Sequence, residues 1–149
     1  MNVLVLHGPN LNLLGQREPG VYGTERIDEV DARITHAGTA LGARVEIFQS
    51  NHEGELIDRI QASDHVQGFL VNPGGLTHTS VSLRDAFLAM DKPVVEVHCS
   101  NPAAREEFRH RSLIAGVAVG TVTGFGGDSY VLGLQGLCDH LKRAKSSDS

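Results

Sequence analysis

The sequence predicts an α/β fold, a doubly wound parallel sheet with helices on both faces. Three observations predict it. Short apolar runs alternate with longer stretches of helical period. The runs are continuous in Val, Leu and Ile, as strands buried on both sides require. Polar and glycine residues gather where each run ends, not where it begins, and in open α/β sheets that is where a ligand sits.

In chain order, the strands expected are Val3 to Leu6, Arg44 to Phe48, Gly68 to Val71, Val94 to Val97 and Val117 to Val122. Arg44 and Glu46 put the second nearer an edge. Between strands, Ile27, Val30, Ile34, Ala37 and Leu41 step by three and four, as a helix facing a sheet should. Leu56, Ile57 and Ile60 repeat the step, as do Leu83, Phe87 and Met90, and a last helix follows from Val131, Leu134, Cys138 and Leu141. Lys142 to Ser149 reads as a frayed polar tail. Five strands with intervening helices make a flavodoxin-like sheet, with a Rossmann-type order as the rival topology.

The 149 residues fit one domain, 1–149, with neither repeat nor linker, and at this length a core needs no disulfide or structural metal. Thirteen Lys and Arg against eighteen Asp and Glu leave a net charge of −5, which argues against nonspecific grip on nucleic acid or anionic membrane. The partner expected is a small molecule. Cys99 and Cys138 have no zinc spacing and are too few for a disulfide framework, which points to a reducing compartment. The apolar run at Val3 to Leu6 is too short for a signal peptide and no run reaches a membrane span, so the expected location is the cytoplasm.

The loops that follow the strands hold His7-Gly8-Pro9-Asn10, Gln49 to Glu53, Asn72-Pro73-Gly74-Gly75 through His78, His98 to Asn101, and Thr123 to Gly127. The first lacks both Gly-x-Gly-x-x-Gly and a P-loop, so the dinucleotide signal is absent where it should be strongest. Gly124-Phe125-Gly126-Gly127 could cradle an anion at the start of the last helix, and a tight strand-to-helix turn explains it equally well. A hydrolase nucleophile elbow is missing, and Cys99 at a strand end reads more readily as a small packing residue than as a nucleophile. His52, His78, His98 and Glu96 are conceivable metal ligands, but no pair has finger or His-Glu-x-x-His spacing.

His98 stands two residues from Glu96 on one face of its strand. A carboxylate beside an imidazole fixes its tautomer and favours its protonated form, as a general acid requires. A structural salt bridge accounts for the same spacing. The loop Arg17-Glu18-Pro19-Gly20-Val21-Tyr22-Gly23 carries an arginine and one of two tyrosines, and reads either as a segment that closes over a ligand or as a plain surface loop.

Together these segments resemble a known family. Gly8-Pro9-Asn10-Leu11-Asn12-Leu13-Leu14-Gly15 with Arg17-Glu18-Pro19 and Tyr22-Gly23 is similar to the opening signature of type II 3-dehydroquinate dehydratases. Gln49 to Glu55, Asn72 to Gly75 with Thr77 to Ser80 and Arg84-Asp85-Ala86, and Glu96-Val97-His98 with Ser100-Asn101 and Arg105 to Arg109 extend the match to about Leu141. Two departures are His7, where Asn is expected in many members, and Cys99, where an aliphatic residue is common.

The resemblance implies reversible dehydration of 3-dehydroquinate to 3-dehydroshikimate through an enolate, without metal or organic cofactor. It assigns Tyr22 as the base and His98 as the acid that protonates the departing hydroxyl. Arg17 would lower the Tyr22 pKa, Asn10 would stabilise the enolate oxygen through a water, and Glu96 would orient His98. Substrate recognition would fall to Asn72, His78, Asp85, the Cys99 to Ser100 backbone and Arg109. It also implies a homododecamer built from trimers. Lys92 lies at the entry of a strand, on the wrong side of the sheet, and Lys142 and Lys145 lie near the C-terminus, so no lysine is expected at the site to form a Schiff base. The competing reading from another class is a noncatalytic module that holds a small carboxylate ligand.

Overall fold

A computed structural model describes residues 1–16, 18–22 and 24–147. Its sheet contains β1 (Asn2–His7), β2 (Arg44–Gln49), β3 (Gly68–Asn72), β4 (Val94–His98) and β5 (Gly120–Thr123). All neighbours are parallel, in the order β2-β1-β3-β4-β5. That is the flavodoxin-like order, so the Rossmann-type alternative falls, and β2 is an edge strand as its charged residues indicate. Strand order reverses between β1 and β3. The crevice between their carboxyl ends is the place where this topology opens a site.

The helices are α1 (Pro19–Tyr22), α2 (Ile27–Ala40), α3 (Glu53–Gln61), α4 (Val81–Met90) and α5 (Asp128–Ser147). Alternation along the strands sends side chains to two cores. Val3, Val5, Leu70, Val95 and Val97 meet Val30 and Ile34 of α2 and Leu134 and Leu137 of α5. On the opposite face Leu4, Leu6, Phe69, Val71 and Val94 meet Leu56 and Ile60 of α3 and Leu83 and Phe87 of α4. Each fully buried side chain of this size contributes about 1.5–3 kcal/mol of transfer free energy.

The structure differs from the sequence expectation in three places. Val117 is not in a strand: Ala115–Val117 forms a 3-10 turn, in which the Val117 and Ala118 N–H groups bond back to Ile114 O. Ile114 is fully buried and anchors that turn, so β5 begins only at Gly120. The last helix continues through Lys142 to Ser147 as an exposed extension, where a frayed tail is expected; Lys, Arg and Ala there are good helix formers. Finally, His7, Gln49, Asn72 and His98 end their strands rather than begin the loops, and this fixes the face to which each side chain points. No described helix is long and apolar enough to cross a membrane.

Candidate active site

The site begins with two loops packed backbone on backbone. Gly8 N–H donates to Asn72 O at 2.8 Å, and a Cβ at Gly8 would sit 2.4 Å from Pro73 O. Gly74, at φ +60°, lies on Pro9, where a Cβ would sit 3.0 Å from Pro9 O. Only glycines allow the β1 and β3 loops to approach in this way. The contact brings Asn10, which is left-handed at φ 72°, beside Asn72. Its backbone N–H is held by Asn51 Oδ1 at 2.9 Å.

Across the crevice, the end of β4 and the loop after it complete a cleft. Asn10, Asn72, His78, His98, Cys99, Ser100 and Arg109 all line it, so seven of the residues expected at the site converge. Arg105 lines it as well, with Nη1 3.4 Å from Ser100 Oγ. Its other terminal nitrogen is 3.9 Å from the Glu18 carboxylate, which brings the segment before α1 to the rim. Arg105 belongs to a block that carries the family resemblance, but nothing in its local pattern distinguishes it from the other arginines there.

His98 and Glu96 share the face of β4 that looks toward α3 and α4. His98 Nε2 donates to Glu96 Oε2 at 2.5 Å. Thr77 Oγ1 donates to the same oxygen at 2.5 Å, and Ser112 Oγ donates to Oε1 at 2.8 Å. Burial pushes the Glu96 carboxyl up, but the His98 hydrogen bond and charge and then the two hydroxyls outweigh it and hold the carboxyl below its ordinary value. A carboxylate so held fixes the proton on His98 Nε2 and leaves Nδ1 for a ligand. Thr77 and Ser112 lie far from β4 in sequence, and no spacing rule points to them.

His78 Nδ1 donates to Arg111 O at 2.7 Å, since a carbonyl only accepts, so that nitrogen carries a proton. Arg109 Nε donates to Glu106 at 2.8 Å. Burial pushes the Cys99 thiol up to about 12, with the Glu25 charge adding to it, so Cys99 is a packing residue with an inert sulfur. On the other face of the sheet Asn72 Nδ2 donates to Tyr130 Oη at 2.9 Å, and burial first of all pushes that phenol well above its ordinary value.

Three expected site residues stand apart. Asp85 is exposed on α4 and does not line the cleft: Leu83, Ala86 and Phe87 turn to the sheet, and helical geometry turns Asp85 to solvent. Arg17 lies outside the described residues, as does the side chain of Tyr22, whose backbone ends α1. The turn at Gly124 to Gly127 has a packing explanation, because a Cβ on Gly127 would meet Glu25 Oε1 at 2.2 Å. Glu25 is paired with Arg33 at 2.9 Å, and Arg33 also pairs with Asp128. Among the described residues, no three His, Cys, Asp or Glu side chains gather as metal ligands. Lys92 Nζ caps Ser63 O and Asp64 O at the amino end of the sheet, away from the cleft.

A carboxylate-supported imidazole facing amides and guanidinium groups, at the switch point of a parallel sheet, defines an α/β protein built for acid–base chemistry on a small polar, anionic ligand. The comparisons name the family. The sequence model "Dehydroquinase class II" matches residues 1–138, and the chain belongs to that family. It is 56% identical over 143 residues to a 3-dehydroquinate dehydratase of Nostoc sp., covering 95% of this chain and 97% of the relative. Identity to the enzyme of that name from Trichodesmium erythraeum is 53% over 142 residues, 95% of each chain. Among solved structures, a type II dehydroquinase from Butyrivibrio crossotus superposes with a TM-score of 0.90 at 40% identity, covering 92% of this chain and 97% of the other. The protein is therefore a hydro-lyase of the dehydroquinase type.

Proposed function

We propose that the chain dehydrates 3-dehydroquinate to 3-dehydroshikimate through an enolate, with Tyr22 as base and His98 as general acid. The observation that carries the reading is the His98 and Glu96 pair: a buried carboxylate, held ionised by three donors, orients an imidazole that lines the cleft.

In the first step a Tyr22 phenolate removes the carbon-bound proton beside the ketone and the electron pair moves onto the carbonyl oxygen. Arg17 supplies the cation that a phenolate needs near neutral pH. Asn10 supports the enolate oxygen through a water. In the second step the enolate re-forms the ketone, the carbon–oxygen bond breaks, and His98 gives its proton so that water leaves. Proton exchange with solvent then restores both residues. Asn72, His78, Arg109 and the Cys99 to Ser100 backbone hold the hydroxyls and carboxylate, and Arg105 joins them from its place on the cleft wall.

All the steps are acid–base chemistry on one small-molecule substrate, in a single domain placed in the cytoplasm and assembled as a dodecamer of trimers. Asp85, exposed on α4, could meet that substrate only from a neighbouring copy. The test is the near-ultraviolet absorbance of the enone product, which 3-dehydroquinate lacks. Wild-type protein should generate it, His98→Ala should lose about 10² to 10⁴ in rate, and Tyr22→Phe should be inactive while still binding substrate. Wild-type protein that binds 3-dehydroquinate without generating absorbance would make it a binding module instead.

A further inference from the structure

We propose that Tyr130, His7 and Asp31 are positioning residues that fix which way the Asn72 amide faces in the cleft. The proposal rests on the reading of that cleft as the substrate site. His7 and Asn72 are register partners at the carboxyl ends of β1 and β3, and both point to the face covered by α2 and α5. There His7 Nδ1 is 2.9 Å from Tyr130 Oη, and His7 Nε2 is 2.7 Å from Asp31 Oδ1. Both His7 and Tyr130 are fully buried, whereas Asp31 reaches the surface.

The donors along this chain run in one direction. Asn72 Oδ1 accepts from Gly74 N–H at 3.1 Å, so its Nδ2 is the atom that donates to Tyr130 Oη. Tyr130 then has its own proton to give, and His7 Nδ1 accepts it. The His7 proton is thereby placed on Nε2, where the Asp31 carboxylate takes it. Turning the Asn72 amide over would face its NH2 with the Gly74 N–H and require the Tyr130 and His7 bonds to reverse, which the Asp31 carboxylate opposes because it can only accept. The second N–H and second lone pair of Asn72 are what a ligand meets, and their sides are set from behind the sheet. None of the three residues was singled out as functional from sequence, because the helices that bring Asp31 and Tyr130 to His7 are distant in the chain.

The test is a double-variant cycle on 3-dehydroquinate turnover with Tyr130→Phe, Asn72→Ala and the pair. Tyr130→Phe keeps the ring and removes the hydroxyl. It should raise KM about three- to tenfold, the weight of one neutral hydrogen bond, with kcat within about twofold. In the Asn72→Ala background it should raise KM no further. A purely structural tyrosine would instead lower the active fraction in both backgrounds alike, and an unchanged KM or multiplying effects overturn the proposal. If Tyr130→Phe does not fold, Asp31→Ala at the surface end decides by the same readouts, since it removes the acceptor that fixes the direction. Failure of wild-type turnover would count against the proposed reaction alone. The positioning is then read by NMR on ¹⁵N-labelled protein: the Asn72 side-chain amide protons, assigned by their loss in Asn72→Ala, should exchange roughly tenfold faster in Tyr130→Phe, and equal exchange overturns it.

Discussion

Replacing Glu96 by Gln keeps size and shape while removing the charge that His98, Thr77 and Ser112 all address. The structure says where the new amide nitrogen must go. Oε2 receives both His98 Nε2 and Thr77 Oγ1, so the amide oxygen belongs there and the NH2 faces Ser112. Ser112 Oγ already accepts from the Ile114 and Ala115 N–H groups at 3.1 and 2.9 Å, so it has no lone pair to offer the amide, and its own proton must turn from a carboxylate to the neutral Thr77 Oγ1 at 3.1 Å. Hydrogen bonds to a charged group are worth about 1.5–3 kcal/mol each, and we expect a stability loss of about 1–3 kcal/mol near neutral pH. The pH dependence gives this prediction its sign. Glu96 has a folded-state pKa below the unfolded one, so its contribution is present above the unfolded value and is lost as pH falls through the folded value. Denaturant unfolding across a pH series should therefore show the gap between wild type and Glu96→Gln closing below the ordinary carboxylate range. Turnover should fall as well. At a charge separation of about 4 Å and an effective dielectric constant of about 20, the attraction between the carboxylate and an imidazolium is about 4 kcal/mol, which corresponds to a loss of roughly 10³. A stability gap that stays constant with pH would refute the ionised state of Glu96, and turnover within about twofold of wild type would refute its support of the acid.

Gly8→Ala should cost about 1–3 kcal/mol and raise KM, because its Cβ would fall 2.4 Å from Pro73 O and force apart the two loops that carry Asn10 and Asn72. Thermal unfolding and steady-state kinetics measure both, and an unperturbed KM would detach the loop contact from the site. Cys99, with its thiol pushed up to about 12, should resist iodoacetamide in native protein near neutral pH and react on unfolding. Mass spectrometry showing a native adduct on Cys99 would contradict its inert reading. Light scattering should report about twelve copies in a closed assembly, and a stable monomer at working concentration would remove the expected dodecamer.

Much of the architecture was legible because it rests on periodicity. Apolar runs gave five parallel strands, and Arg44 and Glu46 marked the edge strand correctly. The Glu96 and His98 pair was legible because residues two apart on a strand share a face. What was not legible depends on contacts between distant segments. Thr77 and Ser112 reach Glu96 from different loops, and hydroxyl residues are too common for their spacing to signal anything. His7 stood out only as a departure from a resemblance, yet the register that pairs it with Asn72 and the helix that brings Tyr130 make it part of a buried chain. Asp85 is a different case: it sits in a block that carries the resemblance, and α4 turns it to solvent, away from the cleft of its own chain. The missed strand start at Val117 has a local cause: the apolar residues from Ala115 to Val119 suit a strand, while buried Ile114 and its turn consume the backbone donors.

The pleat of the sheet divides the cleft between two supports that share no residue. Glu96 and His98 lie on the α3 and α4 side, where Thr77 and Ser112 hold them. Asn72 lies on the α2 and α5 side, where Tyr130, His7 and Asp31 hold it. The proposed acid and the proposed ligand-binding amide are thus held by separate hydrogen-bond systems behind a common crevice. Residues without shared partners act nearly additively, within about 0.3–0.5 kcal/mol. Thr77→Val removes one donor to Glu96 and should act on kcat, whereas Tyr130→Phe should act on KM. Combined, the two changes should multiply in kcat/KM. A coupling well above that limit would mean that a shift at one face is transmitted through β3 and β4 to the other, and the sheet would then be a link between the two supports rather than the wall that separates them.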